Sequence, residues 1–166
     1  MSMSLKDVFE LIQLCIQAKP QVTNRDMRSM LTQVFSRTLK AHTVFTGDVS
    51  EAAVTAIEEM QGVYQGHKVV REHHLKSKTS ITKMIAEMRK TDNWNFEAFE
   101  RRIVELSSIN ITTVSENYLL ARSGATYETL GIKLIHWENL SADVKRLIRK
   151  SLLRADIANR AEWNID

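Results

Sequence analysis

Apolar residues recur at helical spacing along most of this 166-residue chain. Leu5, Val8, Phe9, Ile12, Cys15 and Ile16 share one face, with Ser4 and Asp7 at capping-box spacing before them and Pro20 behind them. Leu11 and Leu14 lie off that stripe. The first helix is therefore predicted to be apolar over more than half its circumference, as a helix is when it is deeply buried or gripped by a second subunit. A second, amphipathic helix is predicted from Thr23 or Asn24 to Lys40, with Met27, Met30, Leu31 and Val34 on its buried side.

The segment AHTVFTGD reads as a short connection. After it, Asp48 and Glu51 have capping-box spacing, and Ala53, Ala56, Ile57, Met60 and Tyr64 form the next apolar stripe. Gly62 and Gly66 weaken that helix, at about 1 kcal/mol each relative to Ala. The segment GHKVVREHHLKSK then extends the helix or forms a short one of its own. Ile81, Met84, Ile85 and Met88 mark another helix, Asn95 caps one carrying Phe96, Phe99, Ile103 and Leu106, and Thr113 with Glu116 opens one through Tyr118 and Leu119. ATYETLGIKLIHWENL fits a helix through Tyr127, Leu130, Leu134 and Trp137, although GIKLIHW alternates enough to be a short strand near 131–137. Ser141 opens the last helix, which is predicted to run to Arg160.

With one Pro and five Gly, the chain is poor in the residues that β-turns demand. Pattern and composition together predict an all-α fold, a single helical domain over residues 1–166 with six to eight helices. Cys15 has no cysteine partner in the chain and sits in an apolar run, where a small buried thiol is the common outcome. Lys6, Asp7 and Glu10 interrupt the first apolar stretch, so it lacks the core of a secretory signal, and no run approaches the roughly 18 apolar residues of a membrane span. The expectation is an intracellular protein, cytoplasmic or nuclear. Without a secretion route, the N-x-S/T matches at Asn110 and Asn139 read as helix-entry chemistry.

Charge changes the picture through its distribution. The net charge is +3, but it is confined to two blocks. The first contains Lys68, Arg71, Lys76, Lys78, Lys83, Arg89 and Lys90, opposed by Glu72 and Glu87. The second, on the last helix, contains Lys145, Arg146, Arg149, Lys150 and Arg154, on the side opposite Val144, Leu147 and Ile148. The two are expected to form one positive face for a nucleic-acid backbone, RNA or DNA, with a steep salt dependence. No aromatic residue lies within either block, so base stacking is not indicated.

The histidines 67, 73 and 74 lack metal-ligand spacing on a straight helix, because His73 and His74 point about 100° apart. No nucleophile elbow, phosphate loop or C-x-x-C motif is present. The sequence therefore predicts no catalytic residue, no metal and no cofactor. Leu11, Leu14, Leu153, Ile157, Trp163 and Ile165 fall outside the tidy stripes and are candidate anchors on another chain, or core residues of this one. The resulting expectation is a non-enzymatic assembly or adaptor protein that self-associates and binds nucleic acid. The alternatives are a protein-interaction module without nucleic acid, or an enzyme or metal-binding protein with a site built on histidine.

Overall fold

The computed structural model describes residues 4–18, 23, 25–27, 29, 43–74, 82–91, 94–122 and 124–165. In chain order the elements are α1 (Leu5–Gln17), β1 (Val44–Ser50), α2 (Glu51–Glu59), β2 (Val69–His73), α3 (Thr82–Lys90), α4 (Phe96–Leu106), β3 (Ser108–Thr113), α5 (Val114–Leu120), β4 (Leu134–His136) and α6 (Ala142–Ser151). Short 3-10 turns occupy Trp137–Asn139 and Arg160–Glu162. Two compact units partition the chain: one comprises residues 1–42 and 75–107, the other residues 43–74 and 108–166.

The first unit is helical in its described residues. Ser4 caps α1 by accepting from the Asp7 amide at 3.2 Å, while the Asp7 carboxylate takes the Ser4 amide and hydroxyl at 2.8 Å each. Asn95 caps α4 by accepting from the Ala98 amide at 2.8 Å. The apolar stripes of α1, α3 and α4 meet in a core of Leu5, Val8, Phe9, Ile12, Met27, Met84, Ile85, Met88, Phe99 and Ile103. Phe9 sits at its centre, 5.3 Å from the Phe99 ring and 6.0 Å from the Phe96 ring. Most of the second predicted helix lies outside the described residues; its start is visible in the Thr23 and Asp26 side chains, which cap each other's amides.

The second unit overturns the all-α expectation and that of a helical bundle. Among the described residues it contains a four-stranded mixed sheet in the order β2-β3-β1-β4. β1 and β3 run parallel, whereas β2 pairs antiparallel with β3, and β4 antiparallel with β1. Ile109 lies opposite Phe45 and Ile111 opposite Val49. These side chains join Ala53 and Ile57 of α2 and Val144, Leu147 and Ile148 of α6 in one core.

Gly and Pro were misleading because no tight hairpin joins these strands. β1 reaches β2 through α2, β3 reaches β4 through α5, and residues 74–107 separate β2 from β3. Such connections need none of the turn residues that a meander demands. AHTVFTGD, taken as a connection, supplies most of β1, and part of the basic stretch taken as helix forms β2. Asn110 lies within β3, not at a helix entry. Helix α2 is capped by Ser50, which accepts from the Ala53 amide at 3.1 Å, and not by Asp48.

Gly47 interrupts β1 at φ +94°, and the pairing of β1 with β3 shifts register between Phe45 and Val49. A Cβ at Gly47 would come within 2.7 Å of both His136 Nε2 and the Trp163 ring. Glycine therefore permits both the backbone conformation and the close approach of Trp163. Residues 157–165 close this side of the unit. The Ala158 amide donates to the Thr43 carbonyl at 2.8 Å, and the Asn159 side chain bonds both the amide and the carbonyl of Phe45 at 2.9 Å. Trp163 packs 5.0 Å from Phe45 and 5.8 Å from Trp137, ring centre to ring centre.

Candidate functional site

Strand alternation sorts the sheet into an apolar face and a polar one. On β3, Ile109 and Ile111 face the core, so Asn110 and Thr112 face the other way. Glu72 is registered opposite Asn110, and Val70 opposite Thr112. Glu72, Asn110 and Thr112 are all buried, at 2%, 3% and 0% exposure. Burying a carboxylate is costly unless it is well partnered, and Glu72 has close partners. The Tyr127 hydroxyl donates to its Oε2 at 2.6 Å, and His74 Nε2 lies 3.4 Å from the same oxygen.

The neighbouring strands extend this cluster. Thr46 on β1 donates to Asn110 Oδ1 at 2.5 Å, and its Oγ1 accepts from the Asp48 amide at 3.1 Å. Tyr127 is held by a compact turn in which Thr126 and Thr129 bond each other and the Ile132 amide donates to the Tyr127 carbonyl at 2.8 Å. Burial, and then the Glu72 carboxylate, push the Tyr127 phenol well above its ordinary range, with the Asn110 amide pulling weakly the other way. Tyr127 thus stays a proton donor throughout the neutral range. The Thr112 hydroxyl, fully buried on the same face, has no hydrogen-bond partner among the described residues. His74 remains partly open, with 31% of its side chain exposed.

The basic residues fall into three groups. Lys83, Arg89 and Lys90 belong to α3 of the helical unit, and Lys76 and Lys78 lie outside the described residues. Lys68 and Arg71 flank or occupy β2, where Arg71 pairs with Asp156 at 2.7 Å and holds that carboxyl below its usual range. On α6, Arg149 folds back onto the Trp163 carbonyl and, at 3.1 Å, the Asn164 side chain. Lys145 lies 5.9 Å above the Trp137 ring centre. Arg146, Lys150 and Arg154 are exposed at intervals of four residues. Arg146 pairs with Asp143 and, with Lys150, lines a groove of 530 Å³ between α2 and α6.

One member of each block meets the other. Arg71 and Arg154 line a common pocket of 490 Å³ together with Tyr64, Val70, Ser151, Leu152 and Asp156. Both guanidiniums act on the Tyr64 phenol and partly offset the upward push of its burial. His73, next along β2, is held below its ordinary pKa by desolvation and then by the Arg71 charge. Two guanidiniums thus meet at this end of the sheet edge, with Asp156 offsetting one of them.

The candidate anchors are placed differently from one another. Leu153 and Ile157 are buried in the core of the sheet unit, and Trp163 packs against that core. Leu11 and Ile165 are half-buried, whereas Leu14 is 62% exposed. Sequence reasoning missed Glu72, Asn110 and Tyr127 as a group. The signal for it was the alternation in SINITT and VVREH, which becomes informative once the two segments are registered as partners. Among the described residues, no three His, Cys, Asp or Glu side chains are grouped to hold a metal ion, and no helix is long and apolar enough to cross a membrane. No family model, curated protein or solved structure matches this chain.

Proposed function

We propose that this protein binds a nucleic-acid backbone at the β2 edge and along α6. The observation that carries this reading is the pocket where Arg71 from the first basic block and Arg154 from the second lie together. A phosphate seated there would share Arg71 with Asp156 and take Arg154 as its second cation. Lys150 and Arg146, four residues apart on α6, supply contacts to successive phosphates, because four helical residues rise about 6 Å. Such contacts position a strand without reading its bases.

The test is anisotropy of a labelled single-stranded RNA and a labelled DNA duplex, each at two salt concentrations. Binding is expected to weaken steeply with salt, and Arg154→Glu to weaken it about tenfold or more for every sequence while lowering the salt slope by about one. Equal affinity in Arg154→Glu and in Lys150→Glu, or no binding at low salt, would overturn the reading.

A further inference from the structure

β2 is an end strand: among the described residues, only β3 pairs with it, and on one side. The His74 amide donates to the Ser108 carbonyl at 3.0 Å and the Val114 amide to the Lys68 carbonyl at 2.9 Å, so Lys68 and His74 bond towards β3. In an antiparallel ladder successive residues bond to opposite sides. Val70 and Glu72 therefore also bond towards β3, while Val69, Arg71 and His73 turn their amides and carbonyls the other way. There the Tyr64 hydroxyl donates to the Val69 carbonyl at 2.8 Å and closes one end of the edge. Among the described residues, the outward main-chain groups of Arg71 and His73 have no such partner.

The side chains beside this edge select its occupant. Arg71 and His73 are registered opposite Ile111 and Ile109, so they lie on the face that α2 and α6 cover. The 490 Å³ pocket opens here, between β2 at Val70 and Arg71 and the residues that end α6 and follow it. Asp156 engages Arg71 at 2.7 Å. Arg154 gives one N–H to the Ser151 carbonyl at 3.3 Å and has no ion pair among the described residues. A second copy of β2 laid antiparallel about Arg71 would set Arg71 against Arg71, and like charges directly opposite disfavour pairing. An acidic residue in that position meets two guanidiniums instead.

We propose that the β2 edge takes an extended peptide as a further strand, antiparallel to β2, with a carboxylate opposite Arg71 and an apolar β-branched residue on either side of it. Main-chain bonds to Arg71 and His73 supply the affinity, and Arg71 with Arg154 supplies the preference for an acid. The residues flanking that acid point to the opposite face, where the half-buried Val70 offers an apolar contact. A nucleic-acid backbone needs only the two guanidiniums, whereas the peptide also needs the β2 main chain, so the two ligands compete and can be told apart.

The probe is a labelled, end-capped peptide, Thr-Val-Glu-Val-Thr, titrated into the full-length chain by anisotropy beside Thr-Val-Lys-Val-Thr. The Glu peptide is expected to bind about tenfold more tightly than the Lys peptide. Methylating the Glu amide nitrogen, which faces β2 in this register, is expected to abolish binding. Methylating the following Val nitrogen, which faces away, is expected to leave it intact. His73→Pro removes one outward amide, a change that an end strand tolerates, and is expected to weaken the peptide about fivefold while the labelled RNA binds as before. The methylated pair needs no variant, so it decides the matter whether or not His73→Pro folds. No binding of the Glu peptide, equal binding of the two methylated peptides, or equal binding of the Glu and Lys peptides would overturn the inference and leave the nucleic-acid reading standing. Peptide binding without RNA binding would overturn that reading alone.

Discussion

The two units solve the same packing problem with different materials. The helical unit fills its core with Met27, Met84 and Met88 around Phe9 and Phe99, whereas the sheet unit stacks Ile109, Ile111, Val49 and Val69 beneath Phe45 and Trp137. Methionine adapts to irregular gaps, while β-branched side chains in a sheet have few rotamers and specify one arrangement. Among the described residues, the sheet unit is also the one that buries a carboxylate, Glu72. A stiff, registered sheet can hold Glu72, Asn110 and Tyr127 in fixed relation, a better foundation for chemistry than an adaptable helical core.

Truncating each core should produce the largest effects. Phe99→Ala removes a fully buried ring from the helical unit, and Ile111→Ala a fully buried branched chain from the sheet. Losses of about 3–5 and 2–5 kcal/mol respectively are expected from urea denaturation. If the methionines let the helical core collapse around the gap, Phe99→Ala should fall at the low end of its range. A loss at the top of the range would mean that this core is as rigid as the other.

Gly47→Ala should come next. The change forces a side chain into a left-handed conformation and against Trp163 and His136, at a cost of roughly 2 kcal/mol. Thermal melts should show the loss, and the double variant with Trp163→Ala should recover the part due to the clash. A double variant whose losses simply add would show that backbone conformation alone makes glycine necessary.

The smallest effect concerns acid. Arg71 holds the Asp156 carboxyl below its ordinary value of 3.8, so the pair stabilises the fold above that pH and loses its contribution as pH falls through the lowered value. Asp156→Asn should reduce stability at pH 7 by no more than about 1 kcal/mol, since the carboxylate is partly exposed. Its difference from the native chain should begin to shrink as pH falls past 3.8 and close once pH is below the lowered value. A difference that persists in acid would assign the effect to packing.

The same contrast explains what could be read in advance. Periodicity located α1 and α4 with their caps at Ser4 and Asn95, because a helix is stabilised by neighbours in sequence. It also found the Thr113 and Glu116 cap, which is local. The sheet escaped notice because Ile109 and Ile111 acquire a buried face only when Phe45 and Val49, more than sixty residues away, lie beside them. The polar cluster was one step more remote, since Glu72, Asn110 and Tyr127 come from three separated segments. Arg71 and Arg154 illustrate the same limit: their charges were evident, but the pocket they share depends on how β2 meets the end of α6.

β4 is only three residues long and covers β1 at Asp48 to Ser50. Upstream of it, Ala158 and the side-chain amide of Asn159 occupy the bonding groups of Thr43 and Phe45. An amide side chain here acts as a surrogate strand, denying a foreign polypeptide a template on which to add its own β-structure. Asn159 is thereby a safeguard against aggregation. Losing it would leave a sticky length of backbone beside a sheet whose apolar layer is already rich in isoleucine and valine.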